Sequence, residues 1–270
     1  MQQEQKDSKL VELDSLLPTF KIIKHNCLQH GIVDAKVMEF NGVENLPNCP
    51  VCLAKSNQEK EKLAEERELQ IKTQHQRRII EARLDNAMIP IRFQQHSFDT
   101  YEEKSVDHKK KKQLCLDYAK NFLKKQNSGT SIIFSGTTGT GKTHLACAIA
   151  NYIILNHDKT AVFISVLNAV RRVKETYRKG SQETEREAIR WFLNPDLLIL
   201  DEVGVQFGSD TEKMVLFEII NQRYENLKPT ILLSNFSAEN LKEFIGDRIM
   251  DRMKEGGGML LNFTMSSYRS

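Results

Sequence analysis

Between residues 136 and 143 the chain reads Gly136, Thr137, Thr138, Gly139, Thr140, Gly141, Lys142, Thr143. Glycines at this spacing let the backbone wrap so that successive N–H groups converge on phosphate oxygens. Lys142 can reach the β- and γ-phosphates as a point charge, and the Thr143 hydroxyl can ligate Mg²⁺. The context agrees. Ile132, Ile133 and Phe134 before the run read as a buried strand, and residues 144–155 after it carry a helical pattern. A helix starting there adds its partial positive charge at the same point. Strand, glycine-rich loop and helix together make a P-loop, and the cofactors implied are ATP and Mg²⁺.

Two further strand ends carry chemistry. The run from Asp196 to Glu202 is apolar until Asp201 and Glu202. At the carboxyl end of a core strand, Asp201 would hold Mg²⁺ through its water shell. Glu202 would polarise a water attacking the γ-phosphate. The run from Thr230 to Asn235 ends in a polar pair. Asn235 there either hydrogen-bonds the γ-phosphate or the attacking water, or simply starts a turn.

A different chemistry lies near the N-terminus. Cys27-x-x-His30 is followed by eighteen residues and then Cys49-x-x-Cys52. Two such knuckles fit a tetrahedral Zn²⁺ site, with each pair of donors on one tight turn and Pro47 and Pro50 stiffening the second. His25 competes with His30 at a less suitable spacing. Four protein ligands leave no place for a reactive water, so the metal would be structural. Gly31 and Asn41-Gly42 mark turns between short extended pieces, as in a zinc ribbon.

The elements that position these groups follow from the pattern. Residues 1–20 hold an amphipathic stretch (Leu10, Val11, Leu13, Leu16, Leu17), either a packed first helix or a docking helix. Residues 57–84 are highly charged, without Gly or Pro, and read as a solvated helical connector supported by Glu68 and Lys72. Met88-Ile89-Pro90 breaks that helix. Helices are expected over 114–123, 167–177, 183–193 and 211–227, and strands over 159–165 and 259–263. The expected organisation is 1–56 a zinc-binding module that contacts a partner, 57–87 a linker, and 88–270 the nucleotide-binding domain.

Composition narrows the class. The chain has 270 residues and a formal net charge of +3, too near neutral to identify a nucleic-acid partner by itself. Lys109 to Lys112 and the Arg171-Arg172 pair stand out. The five cysteines are clustered and odd in number, which suits a metal better than a disulfide framework. No apolar run approaches ~20 residues, so no membrane partner is expected. The first residues lack a secretory core, and a cytoplasmic, reducing location is expected.

The stretch from Leu84 to Ser270 resembles the DnaC family of replicative helicase loaders, a bacterial and phage branch of the AAA+ ATPases. The matching residues are Phe98-Asp-Thr-Tyr101, Gly136 to Thr143, Leu198 to Gly204, Lys228-Pro-Thr230, Ser234-Asn235, Gly246 to Met253 and Ser267-Tyr-Arg-Ser270. The resemblance implies an α/β fold, an AAA+ P-loop NTPase parallel sheet with helices on both faces. A small zinc-ribbon-like module and a helical connector would precede it. The resemblance implies a helical lid, and with about twelve residues after the glycine triplet it is expected to be very short.

It also implies roles. Arg252 corresponds to an arginine finger that reaches a neighbouring subunit's nucleotide, with Arg248 as its substitute. Arg269 corresponds to the second sensor and Asn235 to the first. Such ATPases self-associate, hold a hexameric replicative helicase of the DnaB type, and place it on single-stranded DNA. The Cys/His knuckles are not part of the best-known loader's pattern. For DNA, Arg171, Arg172, Lys174, Arg178, Lys179 and Tyr177 form either a contact surface or a basic solvated helix. Two other functions fit the same residues. One is a transposition regulator of the IstB kind on duplex DNA, and the other is a zinc-module adaptor that does not hydrolyse ATP.

Overall fold

The computed structural model describes residues 18–204, 210–264 and 267–268. The amphipathic stretch at Leu10 to Leu17, and Arg269, lie outside them. The chain divides into two compact units, between Gln76 and Arg77.

In the first unit, β1 (Thr19–Cys27) and β2 (Gly31–Phe40) form an antiparallel hairpin with Thr19 opposite Glu39 and Cys27 opposite Gly31. A turn at Asn41-Gly42, with φ of 50° and 76°, leads to the short β3 (Val43–Glu44). Alternation sorts the side chains: Ala35 and Val37 are buried on one face, while Phe20, Ile22 and Ile32 are exposed on the other. Helix α1 (Pro50–Asn86) follows, with no buried residue and a Lys72–Glu68 ion pair at 2.6 Å. It is longer than the expected connector. Pro50, read in the sequence as stiffening a turn, is its first residue, where a missing N–H costs nothing. Cys52 therefore sits in the first turn of a helix.

The second unit is a five-stranded parallel sheet in the order β5-β6-β7-β4-β8. Its strands are β4 (Ile132–Gly136), β5 (Ala161–Ser165), β6 (Leu197–Val203), β7 (Thr230–Ser234) and β8 (Met259–Phe263). The helices are α2 (Val106–Lys120), α3 (Phe122–Asn127), α4 (Lys142–His157), α5 (Val166–Glu175), α6 (Glu185–Trp191), α7 (Asp210–Glu225), α8 (Ala238–Ile245) and α9 (Asp247–Lys254). Neighbouring residues on each strand point to opposite faces, which makes two cores. Ile132, Phe134, Ile199 and Leu233 pack with α2 and α4 on one face. Ile133, Leu198, Leu200 and Leu232 pack with α5 to α9 on the other. Strands buried on both faces read as continuous apolar runs, which is why these were legible.

Two details concern how this unit handles its cations. The basic run Lys109 to Lys112 lies on α2, whose Ser105 cap accepts from the His108 N–H. Lys111 is buried and paired with Asp107, and Lys112 donates to Glu103 at 2.8 Å, while Lys109 and Lys110 are exposed. The other is Arg223 on α7, fully buried and, among the described residues, without a carboxylate in ion-pair contact. It donates to the carbonyls of Phe192 (2.6 Å) and Pro229 (2.7 Å) and to the Thr230 hydroxyl. Those carbonyls end α6 and precede β7, so one guanidinium ties both approaches to the sheet. Among the described residues no helix is long and apolar enough to cross a membrane.

Candidate functional site

Parallel pairing places the carboxyl ends of β4, β6 and β7 along one edge. At the first of these ends Gly136 takes φ +122°, and a Cβ there would lie 2.1 Å from the Phe263 carbonyl oxygen. Only glycine lets the loop leave β4 against β8. The Gly136 N–H donates to the Phe236 carbonyl (2.9 Å) and the Thr137 N–H to that of Phe263 (3.0 Å). The loop is therefore anchored to β8 and to the segment that follows β7. Gly141, at φ +87°, closes it and starts α4; a Cβ there would meet the Tyr101 ring at 2.7 Å.

Lys142 is buried, and its Nζ donates to the carbonyls of Gly136 (2.8 Å) and Thr137 (2.6 Å) at the mouth of the loop. Burial holds its pKa down at about 8, with Asp201 opposing the shift. An anion at the loop would favour the charged form. The Thr143 hydroxyl lies 3.5 Å from Asp201 Oδ2, so hydroxyl and carboxylate share one space between β4 and β6. These two side chains could hold a Mg²⁺ ion, a hard cation that takes oxygen donors.

The β6–β7 ladder shifts register between Leu200 and Val203. Within that bulge Glu202 takes φ +61°, a left-handed conformation that costs a non-glycine residue energy. A bulge turns a side chain out of its regular alternation. Glu202 is exposed beside half-buried Asp201, and its N–H donates to Asp201 Oδ1 at 2.7 Å. Burial pushes the Asp201 carboxyl up to about 6. The Glu202 N–H opposes this, the Glu202 charge adds to it, and Lys142 and Thr143 oppose it.

Asn235 is exposed just beyond β7. Its neighbour Phe236 carries the carbonyl bonded to Gly136, so Asn235 is one residue from the tie to the loop. Arg248 and Arg252 lie on α9, and Arg252 rests against Phe217 and Tyr224 of α7. The proposed basic surface is partly committed. Arg172 pairs with Glu183 at 2.9 Å and lies over the Trp191 ring, and the Tyr177 hydroxyl donates to Glu185.

Some contacts at the loop were not foreseen. The Tyr268 N–H donates to the Gly139 carbonyl at 2.8 Å, and its ring packs edge-on to Tyr101 and His108. His144, next after Thr143, stacks on His96 with centroids 3.9 Å apart. Burial holds His96 down at about 4, and burial lowers His144 as well. The signals existed in the Phe98-Asp-Thr-Tyr101 and Ser267-Tyr268 stretches, whose sequence gave no hint that they meet.

In the first unit, Cys27, His30, Cys49 and Cys52 bring their donor atoms within 4.8 Å of one another, and His25 is not among them. Cys27 Sγ is 3.7 Å from Cys52 Sγ and 3.6 Å from His30 Nδ1. A tetrahedron with Zn–S bonds of about 2.3 Å has sulfur–sulfur edges of about 3.8 Å. The geometry fits that ion. A backbone hydrogen bond from Gln29, then His30, lowers the Cys27 thiol to about 6, favouring the thiolate a metal needs. Cys52 moves the opposite way, because Cys27 already carries the charge.

A family profile described as IstB-like ATP binding protein matches residues 54–255. Over 173 residues the chain is 38% identical to the replicative helicase loader DnaC of Buchnera aphidicola subsp. Baizongia pistaciae, covering 64% of this chain and 69% of that protein. The loader of the same name from Escherichia coli strain K12 is 36% identical over 157 residues, 58% of this chain and 63% of that one. Among solved structures, a DnaC helicase loader superposes with a TM-score of 0.58 at 26% identity, covering 65% of this chain and 100% of the other. The replication initiator DnaA bound to AMPPCP and single-stranded DNA shares the fold, with a TM-score of 0.54 at 22% identity over 66% of this chain and 52% of its own.

Two outcomes check this geometry. Purified protein should carry about one Zn²⁺ per chain by elemental analysis, and Cys49→Ser should carry almost none. Equal metal content in both would contradict the four-ligand set. Separately, below about pH 6 binding Mg²⁺ at Asp201 must displace a proton. Apparent Mg²⁺ affinity of the nucleotide complex should then be flat above about pH 6 and fall up to about tenfold per unit below it. A flat affinity from about pH 5 to 7 would remove Asp201 from the metal.

Proposed function

This chain belongs to the IstB-like ATP-binding family and is a DnaC-like AAA+ protein within it, and from that premise we propose an ATP-driven loader. It binds a hexameric replicative helicase and delivers it to single-stranded DNA, with ATP hydrolysis as the release step. The observation that carries the ATPase half is the meeting of Thr143 and Asp201 beside a loop fixed to β8 and to the segment that follows β7. The loading half is supported by the identity with proteins that bear that name.

The roles follow from charge and position. The loop backbone and Lys142 bind the β- and γ-phosphates. Thr143 and Asp201 hold Mg²⁺, which neutralises the phosphate charge when bound. Glu202, turned out by its bulge, orients the attacking water, and Asn235 contacts the γ-phosphate or that water. Arg252 enters the site of an adjoining copy, so hydrolysis is weak until copies assemble. Arg269 acts as the second sensor. The zinc module and connector contact the helicase.

A second reading shares the family name, which itself states ATP binding alone: a transposition regulator of the IstB kind on duplex DNA. DNA preference separates the two.

The test mixes the protein with its own organism's replicative helicase and single-stranded DNA and sizes the products with and without ATP. The loader forms an ATP-dependent complex that later disperses. Glu202→Gln should lower ATPase activity about a hundredfold or more, keep the complex and block its dispersal. Unchanged release by Glu202→Gln would favour an adaptor that does not hydrolyse ATP. Failure to bind helicase, with tighter binding of duplex than single-stranded DNA, would favour the transposition regulator.

A further inference from the structure

Phe217 and Tyr224 are seven residues apart on α7 and so lie on one face of the helix; Arg248 and Arg252 are four apart on α9. The pairs meet. The Arg252 guanidinium carbon is 5.3 Å from the Phe217 ring centroid and 5.5 Å from that of Tyr224. Arg248 lies over the same Phe217 ring at 5.6 Å. The Tyr224 hydroxyl is hydrogen-bonded to Glu255, which fixes its ring.

What the rings leave undone is equally informative. Arg252 Nη1 is buried with no hydrogen-bond partner. Asn221, between the two aromatics on the same helix face, keeps a buried Oδ1 without one. A donor and an acceptor left desolvated without partners cost free energy, so the aromatic contacts must offset part of that cost.

We propose that Phe217 and Tyr224 are positioning residues, an aromatic seat that orients the Arg252 guanidinium toward the terminal phosphates of a nucleotide bound to a second copy of this chain. The proposal rests on reading Arg252 as the residue that crosses between copies. A ring face attracts a cation without consuming its N–H donors, whereas a carboxylate would neutralise the charge and have to be displaced first. Stacking between two rings also restricts a long, flexible side chain before the neighbour arrives, so less freedom is lost on contact. Of the two arginines, Arg252 touches both rings and Arg248 only one.

The experiment measures ATPase activity of the full-length protein with single-stranded DNA, at concentrations where activity per chain has reached its plateau. Phe217→Leu and Tyr224→Leu keep apolar bulk but lose the π face. Each should lower kcat about tenfold while KM for ATP stays within about twofold. Phe217→Tyr and Tyr224→Phe keep a ring and should restore activity, and Arg252→Ala should fall to background. A merely structural seat would not split the leucine from the aromatic variants in this way. If both leucine variants match the wild type while Arg252→Ala is inactive, the seat is overturned and the role of Arg252 stands. If Arg252→Ala retains full activity, the underlying reading of Arg252 falls. Should Phe217→Leu fail to fold, the Tyr224→Leu and Tyr224→Phe pair decides.

Discussion

Parallel pairing of β4 between β7 and β8 is the constraint on which the site depends. It puts the glycine-rich loop and the polar end of β7 at one edge, and the pairing of β7 with β6 brings Asp201 alongside. The loop is largely backbone, and backbone cannot be aimed by choosing a side chain. Its position follows from the Gly136 and Thr137 hydrogen bonds to Phe236 and Phe263. Glycine at 136 is required because β8 leaves no room for a Cβ. The sheet therefore acts as a jig, and its two apolar cores keep it rigid.

Lys142 and Arg252, the cation we propose for the shared site, have a form of restraint in common. Lys142 is held by main-chain carbonyls and Arg252 by aromatic faces. Neither mode cancels the positive charge, so both remain available to phosphate, while buried Arg223 shows the same tactic used purely for structure. The acids differ because of burial. Asp201, half enclosed, is reluctant to ionise, and exposed Glu202 shows no such burial. A bulge one residue long separates these environments, which suits one acid to a cation and its neighbour to water.

Sequence order alone made the phosphate loop and the core strands readable, because a glycine-rich run between an apolar strand and a helix has few other meanings. Cysteine and histidine spacing likewise anticipated the cluster in the first unit, though the helix starting at Pro50 was not foreseen. Linear charge counts show that Lys109 to Lys112 stand out, but not that Asp107 and Glu103 lie within reach of Lys111 and Lys112. Tyr101 and Tyr268, far apart in sequence, gave no sign that both would pack at the loop. Phe217 and Tyr224 fit an ordinary amphipathic helix, and only the crossing of α7 with α9 gave them meaning. Side chains whose role depends on a tertiary meeting left no periodic trace.

The central claim is that each ATP-splitting site is shared between two copies, one supplying the loop and acids and the other Arg252. Mixing two inactive variants, Lys142→Ala and Arg252→Ala, tests it most directly. In a mixed assembly, some interfaces would join an intact loop and acids on one copy to an intact Arg252 on the other. The account predicts that ATPase activity returns on mixing, to about a quarter of the wild-type level at equal amounts for random pairing. A mixture as inactive as its separate components, although sizing shows that they co-assemble, would contradict the shared site.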